Sequence, residues 1–281
     1  HAAPPWTSLR ELQRISLKLE EEQAENDPHY AEWLRMLVSP GSSLGGARPK
    51  ASVLDDQARP WIAKFPSRHD ERDTGAWEYL LHDLALRCGI TVPEAKLQKF
   101  SRPYSTFLSK RFDRTDQGKR IHFASALTML ERKDGDDASS GAGYLEMVDF
   151  LVKSGARPDE DLEQLWRRIV FNICVSNTDD HLRNHGFLLS GQGWRLSPAY
   201  DMNPDPSGNS LSLNISENDN SLDLELARNV AKHFRLKPEK ADQLILQIKQ
   251  TVAAWRPLAA RLKLSSRERE EMAGAFRKSQ G

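Results

Sequence analysis

The chain has 281 residues, 38% of them apolar and 28% charged, and its 40 basic and 40 acidic side chains cancel to zero net charge. That composition can bury a substantial core, and it excludes a chain that grips nucleic acid unaided through a basic surface. The longest apolar runs fall far short of the roughly twenty residues that span a bilayer, and no secretory signal is expected before the first helix. Cys88 and Cys174, the only cysteines, lie in apolar helical surroundings and are expected to be core thiols in a reducing cytosol.

In chain order, Thr7-Ser8-Leu9-Arg10-Glu11 offers a capping box that opens an amphipathic helix to about Gln23, and Pro28 to Val38 gives a second, short helix. A glycine-rich stretch follows, Pro40-Gly41-Ser42-Ser43-Leu44-Gly45-Gly46-Ala47-Arg48-Pro49-Lys50. Glycines let backbone N–H groups come close to phosphates, although such runs also mark ordinary flexible loops. Next come a strand over Ala51–Leu54, a polar turn, a strand Trp61–Pro66 carrying Lys64, and a helix carrying Glu78 and running to Cys88. Strand, turn, strand with Lys and helix with Glu is the order kinases use to hold ATP phosphates. The plainer alternatives are a gatekeeper lysine on an edge strand and an exposed helical glutamate.

Strands are expected near Lys96 to Phe100 and Phe107 to Phe112, and the charged turn Arg114 to Lys119 is taken as a boundary between residues 1–113 and 114–281. Helices follow near Phe123 to Glu131, Tyr144 to Ser154 and Asp159 to Val175. Between the first two, residues 132–143 are small and polar and predict a mobile surface loop that could face a protein substrate. Asp134, Asp136 and Asp137 lack the regular spacing and terminal Glu of an EF-hand, so a loop is preferred to a cation site.

The most specific stretch is Asn177-Thr178-Asp179-Asp180-His181-Leu182-Arg183-Asn184, with Asp201 seventeen residues beyond Asn184. An Asp five residues before an Asn, with a second Asp after an apolar hairpin, is the spacing of a kinase base and two magnesium ligands. Moving a phosphoryl group asks the protein to orient a hydroxyl and hold hard cations on phosphate oxygens, and carboxylate and amide oxygens do both. Asp179 is then the base, with Asn184 and Asp201 on the metal. Gly186–Ser190 and Trp194–Pro198, flanking Gly191-Gln192-Gly193, read as the hairpin that carries Asp201 back to Asp179. An Asp/Asn-rich run can also be only a turn. Helices at roughly Leu222 to Phe234 and Pro238 to Arg261 and a charged tail helix close the chain.

Ser42 to Lys50, Ser109-Lys110-Arg111-Phe112-Asp113-Arg114, Thr178 to Asn184 and Tyr200-Asp201 together resemble the HipA-type serine/threonine kinases, toxins of bacterial toxin–antitoxin systems. The resemblance runs from about Gly41 to the C-terminal helices in the family's order. It implies an α+β, two-lobed protein-kinase-like fold with a mixed α/β N-lobe and a mostly helical C-lobe. It implies ATP and Mg²⁺ as cofactors, Asp179 as base, Asn184 and Asp201 as metal ligands, and Lys64 as the nucleotide lysine paired with Glu78. Ser43, Leu44, Gly45, Gly46, Ala47 and Lys50 would form the phosphate loop, and Lys110, Arg111 and Phe112 the adenine hinge, with His181 and Tyr200 near the nucleotide. Ser43, or Ser42 beside it, falls at the family's autophosphorylation site, where a phosphate adds close to two negative charges beside ATP.

The implied partners are a HipB-like helix-turn-helix antitoxin, a separate small HipS-like protein, and an aminoacyl-tRNA synthetase as cytoplasmic substrate. Only some forty residues precede the phosphate loop, as in the short HipT-like branch, which favours the tryptophanyl over the glutamyl synthetase. DNA contact would come only through the antitoxin. Two rivals stand beside this reading: a non-catalytic module acting with an antitoxin repressor, and a phosphohydrolase with Asp179, Asp180, His181 and Asp201 around two metals.

Overall fold

The computed structural model describes residues 3–37, 48–101, 103–115 and 117–280. The chain divides into two units, one comprising His1–Tyr79 and Pro93–Lys119, the other Leu80–Val92 and Arg120–Gly281. The mixture of helix and sheet is kinase-like.

The first unit opens with α1 (Leu9–Leu19) and α2 (Tyr30–Leu37), followed by β1 (Lys50–Leu54) and β2 (Pro60–Lys64). The Ser8 side chain makes no capping bond, and α1 ends at Leu19, short of Gln23, which itself sits in the left-handed region at φ 62°. Helix α3 (Thr74–Arg87) and strands β3 (Ala95–Gln98) and β4 (Thr106–Lys110) follow, with the residues of α3 divided between the two units at Tyr79. The four strands form an antiparallel sheet in the order β1-β2-β4-β3.

Strand β2 is therefore central, which removes the edge-strand explanation of Lys64. Alternate residues of β1 and β2 point to a core of Leu9, Leu12, Ala51, Val53, Trp61, Phe65 and Leu108. The β1–β2 turn is organised by Asp55, whose carboxylate accepts from the backbone of Gln57 and Arg59 and from the Trp61 indole at 2.9 Å. Burial alone would raise this carboxyl, yet those donors hold it at about 2.

The second unit contains β5 (Phe123–Ser125), α4 (Ala126–Met129), α5 (Tyr144–Ser154), α6 (Pro158–Val175), β6 (Gly186–Ser190) and β7 (Gly193–Leu196). It closes with α7 (Leu224–Val230), α8 (Pro238–Ala253), α9 (Trp255–Arg261) and α10 (Ser266–Glu271). Helix α6 is its axis. Pro158 occupies its first turn with three acidic residues, where the open N–H groups and the helix dipole favour them, and its last two turns are buried on every side. It ends in Ser176, left-handed at φ 48°, which turns the chain sharply into the Asn177–Asn184 loop.

Three expectations are corrected here. The helix expected over Phe123 to Glu131 begins as a strand, because Phe123 and Ala124 pair with Leu188 and Phe187 of β6. The helix expected through Pro238 to Arg261 breaks at Ala254, three residues before Pro257. Residues 132–143 are held in place: Arg132 meets Glu146 and donates to the Ser140 and Gly141 carbonyls, Asp137 caps a 3-10 turn over Ala138–Ser140, and Ala138 bonds across to Ser212 and Asn214. Cys88 and Cys174 are buried as expected, and burial pushes both thiols up to about 12. Among the described residues no helix is long and apolar enough to cross a membrane.

Candidate active site

In the second unit the loop after α6 carries the candidate chemistry. Asp179 is exposed while its neighbour Asp180 is buried, so consecutive carboxylates have opposite environments. The backbone of Asp179 is pinned from two directions. Its carbonyl accepts from the Asn184 amide nitrogen at 2.9 Å and from the His181 N–H at 3.1 Å, and the preceding carbonyl, of Thr178, accepts from the Ser212 hydroxyl at 2.7 Å. Because the Asn184 nitrogen is engaged, its Oδ1 is the atom left for a cation.

The Asp201 segment returns to the same loop, as the hairpin reading requires. Asn203 donates its N–H to Asn177 Oδ1 at 3.1 Å, Asp205 donates its N–H to the Ser176 carbonyl at 3.0 Å, and Thr178 Oγ1 donates to Asp205 Oδ2 at 2.8 Å. Asp201 has a φ of 59°, a strained conformation for an L-residue outside glycine, and such strain persists only where the surroundings impose it. The Tyr200 hydroxyl donates to the Arg183 carbonyl at 2.7 Å, and its ring meets Phe123 edge-on. Burial pushes the Tyr200 hydroxyl pKa well above its ordinary value.

Behind Asp179 lies a network that sequence reasoning missed. Asp180 Oδ2 accepts from the Tyr144 hydroxyl, from Asn172 Nδ2 at 2.7 Å and from His185 Nε2 at 2.9 Å. The amides run in series: Asn177 donates to Asn172 Oδ1 at 3.1 Å, and Asn172 donates to Asp180. Burial would raise the Asp180 carboxyl, but the His185 charge, the His185 and Tyr144 bonds and the Arg168 charge hold it below its ordinary value. The available signal was Asn172, an amide inside the otherwise apolar run Ile169–Val175.

This spends Asp180 on the interior, which removes it from a two-metal cluster with Asp179, His181 and Asp201. Among the described residues no three His, Cys, Asp or Glu side chains converge as a metal site. Asn184 Oδ1 and the Asp201 carboxylate are hard oxygen donors suited to Mg²⁺, which takes few protein ligands and keeps its waters. His181 Nδ1 and Asn203 Oδ1, both buried beside the loop, have no hydrogen-bond partner among the described residues.

In the first unit, Lys64 Nζ donates to Glu78 Oε1 at 2.6 Å, with the two side chains 14% and 5% exposed. Glu78 is therefore buried, against the alternative of an exposed helical glutamate. Lys50 lies directly opposite Lys64 in the β1–β2 register. Breaking a buried pair leaves the remaining charge without its closest partner, so Lys64→Met should cost about 3 kcal/mol, and the double variant Lys64→Met/Glu78→Leu should recover most of it. Denaturant midpoints of the three proteins check this.

Arg48 forks Asp70 with two bonds of 2.7 Å at the point where the chain leaves the glycine-rich stretch. Lys110 ends β4 and its ammonium lies 3.9 Å from Glu94. The guanidinium of Arg111 forks Asp113 at 2.9 and 2.7 Å, and Phe112 is half-buried. Ser42, Ser43, Leu44, Gly45, Gly46 and Ala47 lie outside the described residues.

The HipA-like C-terminal domain model matches residues 42–255. A candidate kinase of Haemophilus influenzae is 25% identical over 57% of this chain and 52% of its own length. The candidate kinase Y4mE of Sinorhizobium fredii is 29% identical over 51% of this chain and 34% of its own length. The chain thus spans about half or less of these relatives. Among solved structures, HipA of Shewanella oneidensis, determined with HipB and operator DNA, superposes with a TM-score of 0.66 at 17% identity, covering 84% of this chain and 63% of that one. The Helicobacter pylori proinflammatory kinase CtkA superposes at 0.60 and 16% identity, covering 86% of this chain and 91% of that one. With its family model covering well over half of its length, the chain belongs to the HipA-like C-terminal domain family.

Proposed function

We propose that the chain is an ATP-dependent protein serine/threonine kinase and that Asp179 is its base. The observation that carries this reading is the exposed Asp179 carboxylate on a backbone tied by Asn184, with the Asp201 segment bonded back to the same loop. Asp179 would take the proton of the substrate hydroxyl as that oxygen attacks the γ-phosphorus, and ADP leaves. Asn184 and Asp201 would hold Mg²⁺, which when bound neutralises phosphate charge. Lys64, oriented by Glu78, would bind the α- and β-phosphates. Lys50 and the Ser43–Ala47 stretch would cradle phosphate, Lys110, Arg111 and Phe112 would meet adenine, and His181 and Tyr200 would lie near the nucleotide.

A cleft of about 400 Å³ beside the loop, lined by Asp134, Asp136, Asp137, His181, Arg183 and Ser212, is where we place the substrate chain. The biological reading is a cytoplasmic bacterial toxin that phosphorylates an aminoacyl-tRNA synthetase, tryptophanyl before glutamyl, and arrests translation. It would be restrained by a HipB-like antitoxin, with a HipS-like protein as a further partner and DNA reached only through the antitoxin. The target rests on the family resemblance, and the antitoxin also on the HipB found with the Shewanella HipA.

Incubation with Mg²⁺ and ATP, followed by intact mass and peptide mapping, tests the chemistry. Phosphate on Ser43 or Ser42 that is absent in Asp179→Ala is the expected result. If neither the chain nor a bacterial lysate offered as substrate gains phosphate, the kinase reading is wrong. Lys64→Met should lower ATP turnover by roughly a hundredfold, as expected for losing a charged donor to the phosphates. Its Glu78→Leu double variant should regain stability without regaining turnover.

A further inference from the structure

Helix α6 carries three buried polar residues on one face, Asp161, Arg168 and Asn172, at spacings of seven and four that bring side chains into line along a helix. Each is 2 to 3% exposed. Each grips a different part of the chain around the candidate site. Asp161 takes a fork from Arg195 at 2.8 and 3.0 Å and the Leu196 N–H at 3.2 Å, at the end of β7. Asn172 holds Asp180. Arg168, between them, donates Nη2 to the carbonyl of Ser197, four residues before Asp201.

Arg168 is costly where it stands. Its Nε and Nη1 have no hydrogen-bond partner among the described residues, and burial lowers its pKa to about 10 against the support of Asp180, Tyr200, Asp161 and Tyr144. An apolar side chain of similar volume would pack among Leu165, Trp166 and Ile169 without burying two unmet donors, so filling the core does not by itself explain an arginine here. What it reaches is the strand exit that leads to Asp201, while its charge faces the catalytic loop through Asp180.

We propose that Arg168 is a positioning residue whose buried guanidinium holds the Ser197 carbonyl and so sets the path of Ser197 to Asp201 against the Asn177–Asn184 loop. Its consequence for turnover rests on the kinase reading; its effect on the segment does not. The amides of Ser197, Ala199, Asn203 and Asp205 are bonded to Gly186 O, Thr91 O, Asn177 Oδ1 and Ser176 O, and they report on that path by hydrogen exchange.

The test is Arg168→Met and Arg168→Lys in the full chain. Arg168→Met should still fold and melt cooperatively, while exchange over 197–205 accelerates about tenfold with the rest of α6 unchanged. The kcat should fall roughly ten- to a hundredfold, more than KM for ATP rises, because small misplacement of a reacting group costs that much. Arg168→Lys, which keeps a donor and a charge, should restore part of both.

Unchanged exchange in a folded Arg168→Met protein would overturn the proposal, and so would loss of the fold, since the guanidinium would then be structural. An equal loss in Arg168→Lys and Arg168→Met would also overturn it. Should the wild type transfer no phosphate while exchange changes as expected, the kinase reading fails and the positioning role stands.

Discussion

Replacing Asp179 with alanine should lower phosphoryl transfer by about two to four orders of magnitude, the range for removing a general base, and should move the melting temperature by less than about 2 °C. The two halves of this expectation come from one fact: the carboxylate is exposed while its backbone is bonded. An exposed side chain away from caps and buried networks contributes little to folding, and the groups that hold Asp179, the Asn184 amide, the His181 N–H and the Ser212 hydroxyl by way of Thr178, attach to main-chain atoms that alanine keeps. Single-turnover assays beside thermal denaturation separate the effects. An Asp179→Ala protein that melts normally and still phosphorylates at more than a tenth of the wild-type rate would remove Asp179 from the role of base.

Much of this loop was legible because its information is local. Asp179, Asn184 and Asp201 are recognisable by residue type and interval, and the turn chemistry of Asn, Asp and Gly sets the hairpin between β6 and β7. The α6 boundaries follow from Pro158, three acids in the first turn and an apolar run. The break between α8 and α9 was also available, since Pro257 inside a helical pattern ends or kinks the helix before it. The rest depends on distant partners. Three residues of β5 are a strand only because β6 lies beside them, and residues 132–143 are held by Glu146, Ser212 and Asn214.

The network behind the site was the least legible part. Tyr144, Asn172, Asp180 and His185 are spread over α5, α6 and the connection from α6 to β6, and no interval in the sequence links a tyrosine in α5 to an aspartate after α6. What the sequence did offer was the presence of Arg168 and Asn172 among residues otherwise suited to a core. Polar groups of that kind are retained in an interior when they are bonded or when they position something, and here the first holds for Asn172 and the second is inferred for Arg168.

Asp180→Ala should do the reverse of Asp179→Ala. Removing this carboxylate leaves the Tyr144 hydroxyl, the Asn172 amide and His185 Nε2 facing an empty buried position, which costs about 3 kcal/mol or more and should lower the melting temperature by roughly 10 °C. The activity of the folded fraction should exceed that of Asp179→Ala. The pH dependence has a definite sign. The Asp180 carboxyl lies below its ordinary value in the folded chain, because the His185 and Arg168 charges and the Tyr144 and His185 bonds outweigh burial. Its contribution to stability is therefore present above the unfolded carboxyl value of about 4 and is lost as pH falls through the lower folded value. Urea midpoints should accordingly drop more steeply below about pH 4 in the wild type than in Asp180→Asn, which has no proton to take up. Parallel slopes in the two proteins would show that Asp180 carries no such charge, and a greater loss of turnover per folded molecule in Asp180→Ala than in Asp179→Ala would move the base one residue along the chain.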